Sequence, residues 1–180
     1  MLLARRHLLA GAVAAAAVSS AIVLPAAAAA QQPASRTALA GPPMCLDATG
    51  ARTNGTRVHL WQCANTNTNQ KFVIDDGLIK VKDTLHSGTP MCLDAAGART
   101  NGTPVHLWEC SNTNTNQIWF IRRGEIIIKD TLASGTPMCL DATGARTNGT
   151  RVHLWQCANT NMNQKFVIDN GMIEVEDTLT

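Results

Sequence analysis

The chain has 180 residues with 15 Lys and Arg against 13 Asp and Glu. The excess disappears once residues 1–30 are set aside, because they carry Arg5 and Arg6 and no acid. A near-neutral chain lacks the basic surplus that nucleic acid or an anionic membrane surface calls for, so neither is an expected partner. About 150 residues suffice for one domain, but with three Phe, four Trp and no Tyr its core must rely on small and β-branched side chains.

Residues 1–30 have the order of a secretory signal peptide: Arg5 and Arg6, an apolar run from Leu8 to Leu24, then Pro25 and an Ala tract ending at Ala30. A retained membrane anchor is the alternative, but Gly11, Ser19, Ser20 and the run of A-x-A sites favour cleavage. The string Arg5-Arg6-His7-Leu8-Leu9 also matches a twin-arginine export signal. The mature protein is therefore expected to be secreted and free of the membrane, with its six cysteines in an oxidising compartment as three disulfides. Residues 31–43 would form an N-terminal segment and closing strand, since Thr37-Ala38-Leu39 echoes Asp177-Thr178-Leu179.

From Met44 the chain repeats itself with an offset of 47, giving copies at 44–90, 91–137 and 138–180. Between 44–85 and 138–179 only five positions differ: Thr68/Met162, Asp76/Asn170, Leu78/Met172, Lys80/Glu174 and Lys82/Glu176. A period of this length means supersecondary units too small to bury a core alone. Each unit reads as short strands broken by turns. Val58 and Leu60 alternate with His59 and Trp61, the period of two of a half-buried strand, and Asn54-Gly55 ahead of them is a tight-turn signal. After Gly77, Ile79 and Val81 point inward. The outward slot varies from Lys80 to Ile127 to Glu174, and variation confined to one face predicts that this face meets solvent.

About four strands per copy in three copies predict an all-β chain folded as a β-trefoil, a six-stranded barrel capped by three hairpins. Three blades are too few for a propeller, and no copy has the character of a solenoid cap. The cysteines fall 18 apart in each copy, so pairing Cys45 with Cys63, Cys92 with Cys110 and Cys139 with Cys157 is the simplest scheme that respects the symmetry. A zinc site recruiting His59, His106 and His153 is not expected, because C-x17-C lacks paired short-spaced ligands; no metal or cofactor is implied.

The elements CLD, NGT, V-x-LW-x-C and N-Q-x-aromatic (NQKF, NQIW, NQKF) resemble the ricin B-chain type lectin repeat, also called the family 13 carbohydrate-binding module, over residues 44–180. In that family the last aromatic is usually Trp and belongs to the core; here Trp119 keeps it, and Phe72 and Phe166 replace it. The resemblance implies a sugar pocket in each copy, and sugar chemistry asks for the same groups: a bidentate acceptor, an amide and an aromatic platform. Asp47 would accept from two hydroxyls, Trp61 would stack on the apolar sugar face, and Asn69 would donate and accept. His59 lies on the Trp61 face, and Gln70 would prop Asp47. The same roles pass to Asp94, His106, Trp108, Asn116 and Gln117, and to Asp141, His153, Trp155, Asn163 and Gln164. An Asp that faces a pocket is solvated, so its loss should cost no more than about 1 kcal/mol.

The expected function is thus a secreted, monomeric lectin for galactose- or xylose-type glycans and polysaccharides. No carboxylate pair sits in a singular cleft and every candidate residue recurs three times, so an enzyme is not expected. A trefoil protease inhibitor, or a non-binding structural or accessory domain, is the alternative; an inhibitor would show one copy with an unusual loop, and none stands out.

Overall fold

A computed structural model describes residues 41–179; the expected signal peptide and most of the segment 31–43 lie outside them. Each repeat contributes four strands. The first repeat supplies β1 (Met44–Ala48), β2 (Val58–Gln62), β3 (Phe72–Asp75) and β4 (Leu78–Val81). The second supplies β5 (Met91–Ala95), β6 (Val105–Glu109), β7 (Trp119–Arg122) and β8 (Glu125–Ile128). The third supplies β9 (Met138–Ala142), β10 (Val152–Gln156), β11 (Phe166–Asp169) and β12 (Met172–Val175). Short 3-10 turns follow β2 and β4 and their counterparts.

The strands form three four-stranded antiparallel sheets, ordered β11-β12-β1-β2, β3-β4-β5-β6 and β10-β9-β8-β7. Each sheet joins the last two strands of one repeat to the first two of the next, so no repeat can satisfy its own backbone. β12 pairs with β1 through Glu174 and Cys45, which closes the ring between the third repeat and the first. The Thr178 hydroxyl takes the Met44 N–H at 3.0 Å and donates to Val175 O at 2.7 Å. Thr84 and Thr131 take Met91 and Met138 in the same way. This is the β-trefoil that the repeat predicts.

The core draws the same positions from each copy. Met44, Leu46, Val58, Leu60, Ile79 and Val81 are buried, as are their counterparts in the other repeats. The N-Q-x-aromatic position lies inside as well: Phe72, Trp119 and Phe166 are buried, and Trp119 Nε1 donates to Leu93 O at 3.0 Å. Two-residue turns close the β3–β4, β7–β8 and β11–β12 hairpins, with both turn residues at positive φ, as in Asp76 (48°) and Gly77 (79°). At Gly77 a Cβ would stand 3.1 Å from Trp119 O, where the Trp119 N–H reaches Gly77 O at 2.8 Å. The turn thus needs glycine both for its conformation and for the approach of the next repeat.

The expectation that the Lys80/Ile127/Glu174 slot meets solvent fails at Ile127 and Glu174, while Lys80 stays partly exposed and reaches Asp75 at 2.7 Å. Ile127 is 0% exposed and Glu174 9%, because this slot pairs with the first cysteine of the next repeat, Lys80 with Cys92, Ile127 with Cys139 and Glu174 with Cys45. A disulfide therefore lies over it, and burial pushes the Glu174 carboxyl above its ordinary range, helped by Asp169 and opposed by Lys71. Variation between copies here records three solutions to one covered site, not freedom in water.

A second buried site varies in a paired way. Glu125, 2% exposed, accepts from Lys165 Nζ at 2.8 Å. One repeat earlier the same two positions hold Leu78 and Ile118, an apolar solution. Removing one partner strands a buried charge. Glu125→Ala is therefore expected to lower stability by about 3 kcal/mol, while Glu125→Leu with Lys165→Ile should match or exceed the parent. Denaturant unfolding of both variants checks this, and a double variant no more stable than Glu125→Ala would count against it.

Candidate functional site

Antiparallel pairing of β1 with β2 places Asp47 opposite His59 and Cys45 opposite Trp61. Beyond β2, the disulfide Cys45–Cys63 turns the chain back, and the 3-10 turn Thr68–Gln70 packs against β1. Asp47, His59, Trp61, Asn67 and Asn69 thereby line one open cleft with Thr49 and Gly50, of about 250 Å³. In the third repeat Asp141, His153, Trp155, Asn161 and Asn163 line a matching cleft of about 220 Å³ with Thr143 and Gly144. Cys92–Cys110 and Cys139–Cys157 complete the disulfides, as symmetry predicts.

Trp61 and its counterparts Trp108 and Trp155, unlike Trp119, are not core. Trp61, Trp108 and Trp155 are 42%, 42% and 43% exposed, each beside the histidine of its own strand with ring centroids 5.4 to 5.5 Å apart. An indole with this much of its surface open to water is suited to stacking on a flat apolar face.

The aspartates depart from expectation. Asp47, Asp94 and Asp141 are only 3%, 3% and 4% exposed, so they are not solvated side chains whose loss is nearly free. One oxygen is a buried acceptor: Oδ2 takes Asn67, Asn114 and Asn161 Nδ2 at 2.9 to 3.0 Å in the three repeats. In the second and third repeats it also takes Gln117 and Gln164 Nε2 at 3.0 Å. The other oxygen, Oδ1, faces the histidine Nε2, at 3.2 Å in the second repeat and 3.5 Å in the first and third. Burial, joined by the nearby Arg57 guanidinium, holds the His59 pKa below its ordinary value against the opposing pull of Asp47.

Gln70, Gln117 and Gln164 are 0% exposed and cannot touch a ligand themselves. Each accepts a backbone N–H (Ala64, Ser111, Ala158) at 2.8 Å and donates to a carbonyl at the end of the preceding strand. They fix the loop after the disulfide and, in two repeats, the aspartate.

Two groups escaped the reading of the sequence. Asn67, Asn114 and Asn161 cap the 3-10 turn through Oδ1 while Nδ2 holds the aspartate. Arg52 donates from Nη2 to Asn69 Oδ1 at 2.8 Å and from Nε and Nη2 to Asp83 at 2.9 and 2.8 Å. Arg99 with Asp130 and Asn116, and Arg146 with Asp177 and Asn163, repeat the arrangement. Because a guanidinium only donates, the amide oxygen must face it, which turns Asn69 Nδ2 away as a donor for something else. Constancy of Arg52, Asn67 and Asp83 in all three copies was the available signal.

Each cleft thus offers an acceptor oxygen, an amide donor, an imidazole and an exposed indole, a set matched to vicinal hydroxyls and a hydrophobic ring face. The ricin-type beta-trefoil lectin domain model matches residues 35–166. Among solved structures, the chain is similar to the earthworm R-type lectin C-half in complex with GalNAc, with 17% identity, 73% of this chain and 97% of that one covered and a TM-score of 0.52. It is also similar to the beta-trefoil lectin of the Vibrio vulnificus hemolysin/cytolysin with N-acetyl-D-lactosamine bound, with 20% identity, 71% and 86% covered and a TM-score of 0.51. A search of curated protein sequences found no match. With its repeats, its topology and a family match over most of its length, this chain belongs to the ricin-type β-trefoil lectin family.

Proposed function

We propose that the protein is a secreted, monomeric, non-enzymatic lectin that binds galactose- or xylose-type glycans and polysaccharides through up to three equivalent pockets. The observation that carries the reading is the recurrence, in every repeat, of an exposed Trp beside a His whose Nε2 faces one oxygen of an Asp, the other oxygen being held by an Asn. In each pocket the Asp Oδ1 accepts from sugar hydroxyls as a charge-assisted bond, Asn69 or its counterpart donates, and Trp61 or its counterpart stacks. The galactose-type sugars bound by the earthworm and Vibrio lectins fit this chemistry.

The clefts are open and shallow, so one site is expected to bind a monosaccharide only at about millimolar strength, and linkage of sites on one chain to raise avidity by orders of magnitude. A glycan array of the mature protein identifies the sugar, and titration calorimetry then compares the monosaccharide with its polymer. The expected result is binding to the polymer at least about a hundredfold tighter per chain. Equal affinity per sugar unit would overturn the multivalent reading, and an array without any bound glycan would overturn the function.

A further inference from the structure

A larger cavity than either cleft, about 410 Å³, lies where the three repeats meet. β2, β6 and β10 approach one another through bridges between Arg57 and His106, His59 and Arg151, and Pro104 and His153. The cavity is lined by equivalent positions from each repeat, Arg57, Pro104 and Arg151 above Val58, Val105 and Val152, so it sits on the pseudo-threefold axis. The valines are buried and the arginines exposed. No carboxylate is among the described residues that line it.

Symmetry is broken here in a particular way. In the first and third repeats Thr49 and Thr143 donate to the Arg57 and Arg151 carbonyls at 3.1 and 3.3 Å. The second repeat has Ala96 and Pro104 at these two positions, and the His106 side chain is 20% exposed, against 10% for His59 and His153. His106 lines the axial cavity and also stands beside the residues of the second proposed sugar site, its ring 5.5 Å from Trp108 and its Nε2 3.2 Å from Asp94 Oδ1.

We propose that the axial cavity is an oxyanion site, in which Arg57 and Arg151 take the carboxylate or sulfate of an acidic sugar that extends past His106 from the second pocket. Two guanidiniums over an apolar floor, with no acid on the wall, favour a compact anion through paired charge-assisted bonds. Arg57 Nη2 already donates to Gly149 O at 3.0 Å, which holds that side chain at the cavity. The extension from the second pocket rests on the proposed sugar binding; the oxyanion site does not.

Calorimetric titration at constant ionic strength with three probes tests this: sodium sulfate, digalacturonate and neutral galactobiose. The expected result is one digalacturonate site per chain with affinity about tenfold above galactobiose. Arg57→Gln with Arg151→Gln should erase that preference while leaving galactobiose binding and the melting temperature unchanged. Arg57→Lys with Arg151→Lys should retain part of it, because the charge stays. No preference for digalacturonate, or a preference that survives the double Gln variant, overturns the proposal. Sulfate binding as tightly as digalacturonate overturns the extension from the second pocket in favour of a free anion. Anion binding without any galactobiose binding would overturn the galactose reading of the pockets and leave the axial site standing.

Discussion

Replacing Asp47, Asp94 and Asp141 together by Asn is expected to abolish measurable glycan binding while the protein melts close to the parent. Replacing them together by Ala should also cost stability, about 2 kcal/mol for each substitution. The difference follows from the two oxygens of each carboxylate. Oδ2 is a buried acceptor for Asn67 and its counterparts, and for Gln117 and Gln164. An Asn side chain keeps a carbonyl oxygen there and sets its NH2 where Oδ1 faced the histidine and the cleft. An acceptor becomes a donor and the charge is lost, which a weak sugar site cannot absorb. Ala instead leaves the Asn and Gln amides without their acceptor inside the protein, and each such substitution should lower the melting temperature by about 5–10 °C. Single Asn variants should remove one site each, because the pockets lie on different repeats and distant sites behave additively. Calorimetric titration with the glycan found on the array, alongside melting curves, checks both arms. A triple Asn variant that binds with unchanged stoichiometry would show that the aspartates are not ligands. A triple Ala variant that melts like the parent would remove their structural role.

Loss of the disulfides should have the largest effect on stability. Each closes a loop of 18 residues, for which chain entropy gives about 3 kcal/mol, and replacing one pair by Ala should lower the melting temperature by about 10 °C. The three pairs should not be equal, because each covers a different side chain from the preceding repeat. Cys139 lies beside Ile127, which is 0% exposed, so losing Cys139–Cys157 uncovers apolar surface. Cys45 and Cys92 lie beside Glu174 and Lys80, whose charges gain from water. The order of destabilisation is therefore expected to put Cys139–Cys157 first, and the variant without any of the three should be unfolded at 37 °C. Scanning calorimetry of the pairwise Ala variants measures the order. Six free thiols in the unreduced protein, counted by mass spectrometry, would overturn the whole framework.

The covered slot and the aspartate show where reading the sequence went astray. Period-two alternation correctly places Ile79 and Val81 inside, but it describes one sheet and its two faces. It does not see that the outer face of β4 and its counterparts is roofed by a disulfide from the neighbouring repeat, so variation at Lys80, Ile127 and Glu174 passed for exposure. Asp47 was read as solvated for the same reason: nothing in CLD says that Asn67, twenty residues later, returns to hold it.

By itself the sequence determined the repeat, the strands, the disulfide pairing and the recurring Asp, His, Trp and Asn, because these depend on local spacing and on identity between copies. The Arg52–Asn69 contact that aims the amide and the axial cavity were decided only by the tertiary structure. Each joins residues separated by a loop or a repeat boundary, where the energy lies in contacts that no local periodicity records. Repetition made the sites legible, and the departures from it at Ala96 and Pro104 acquired meaning only once three strands met on one axis.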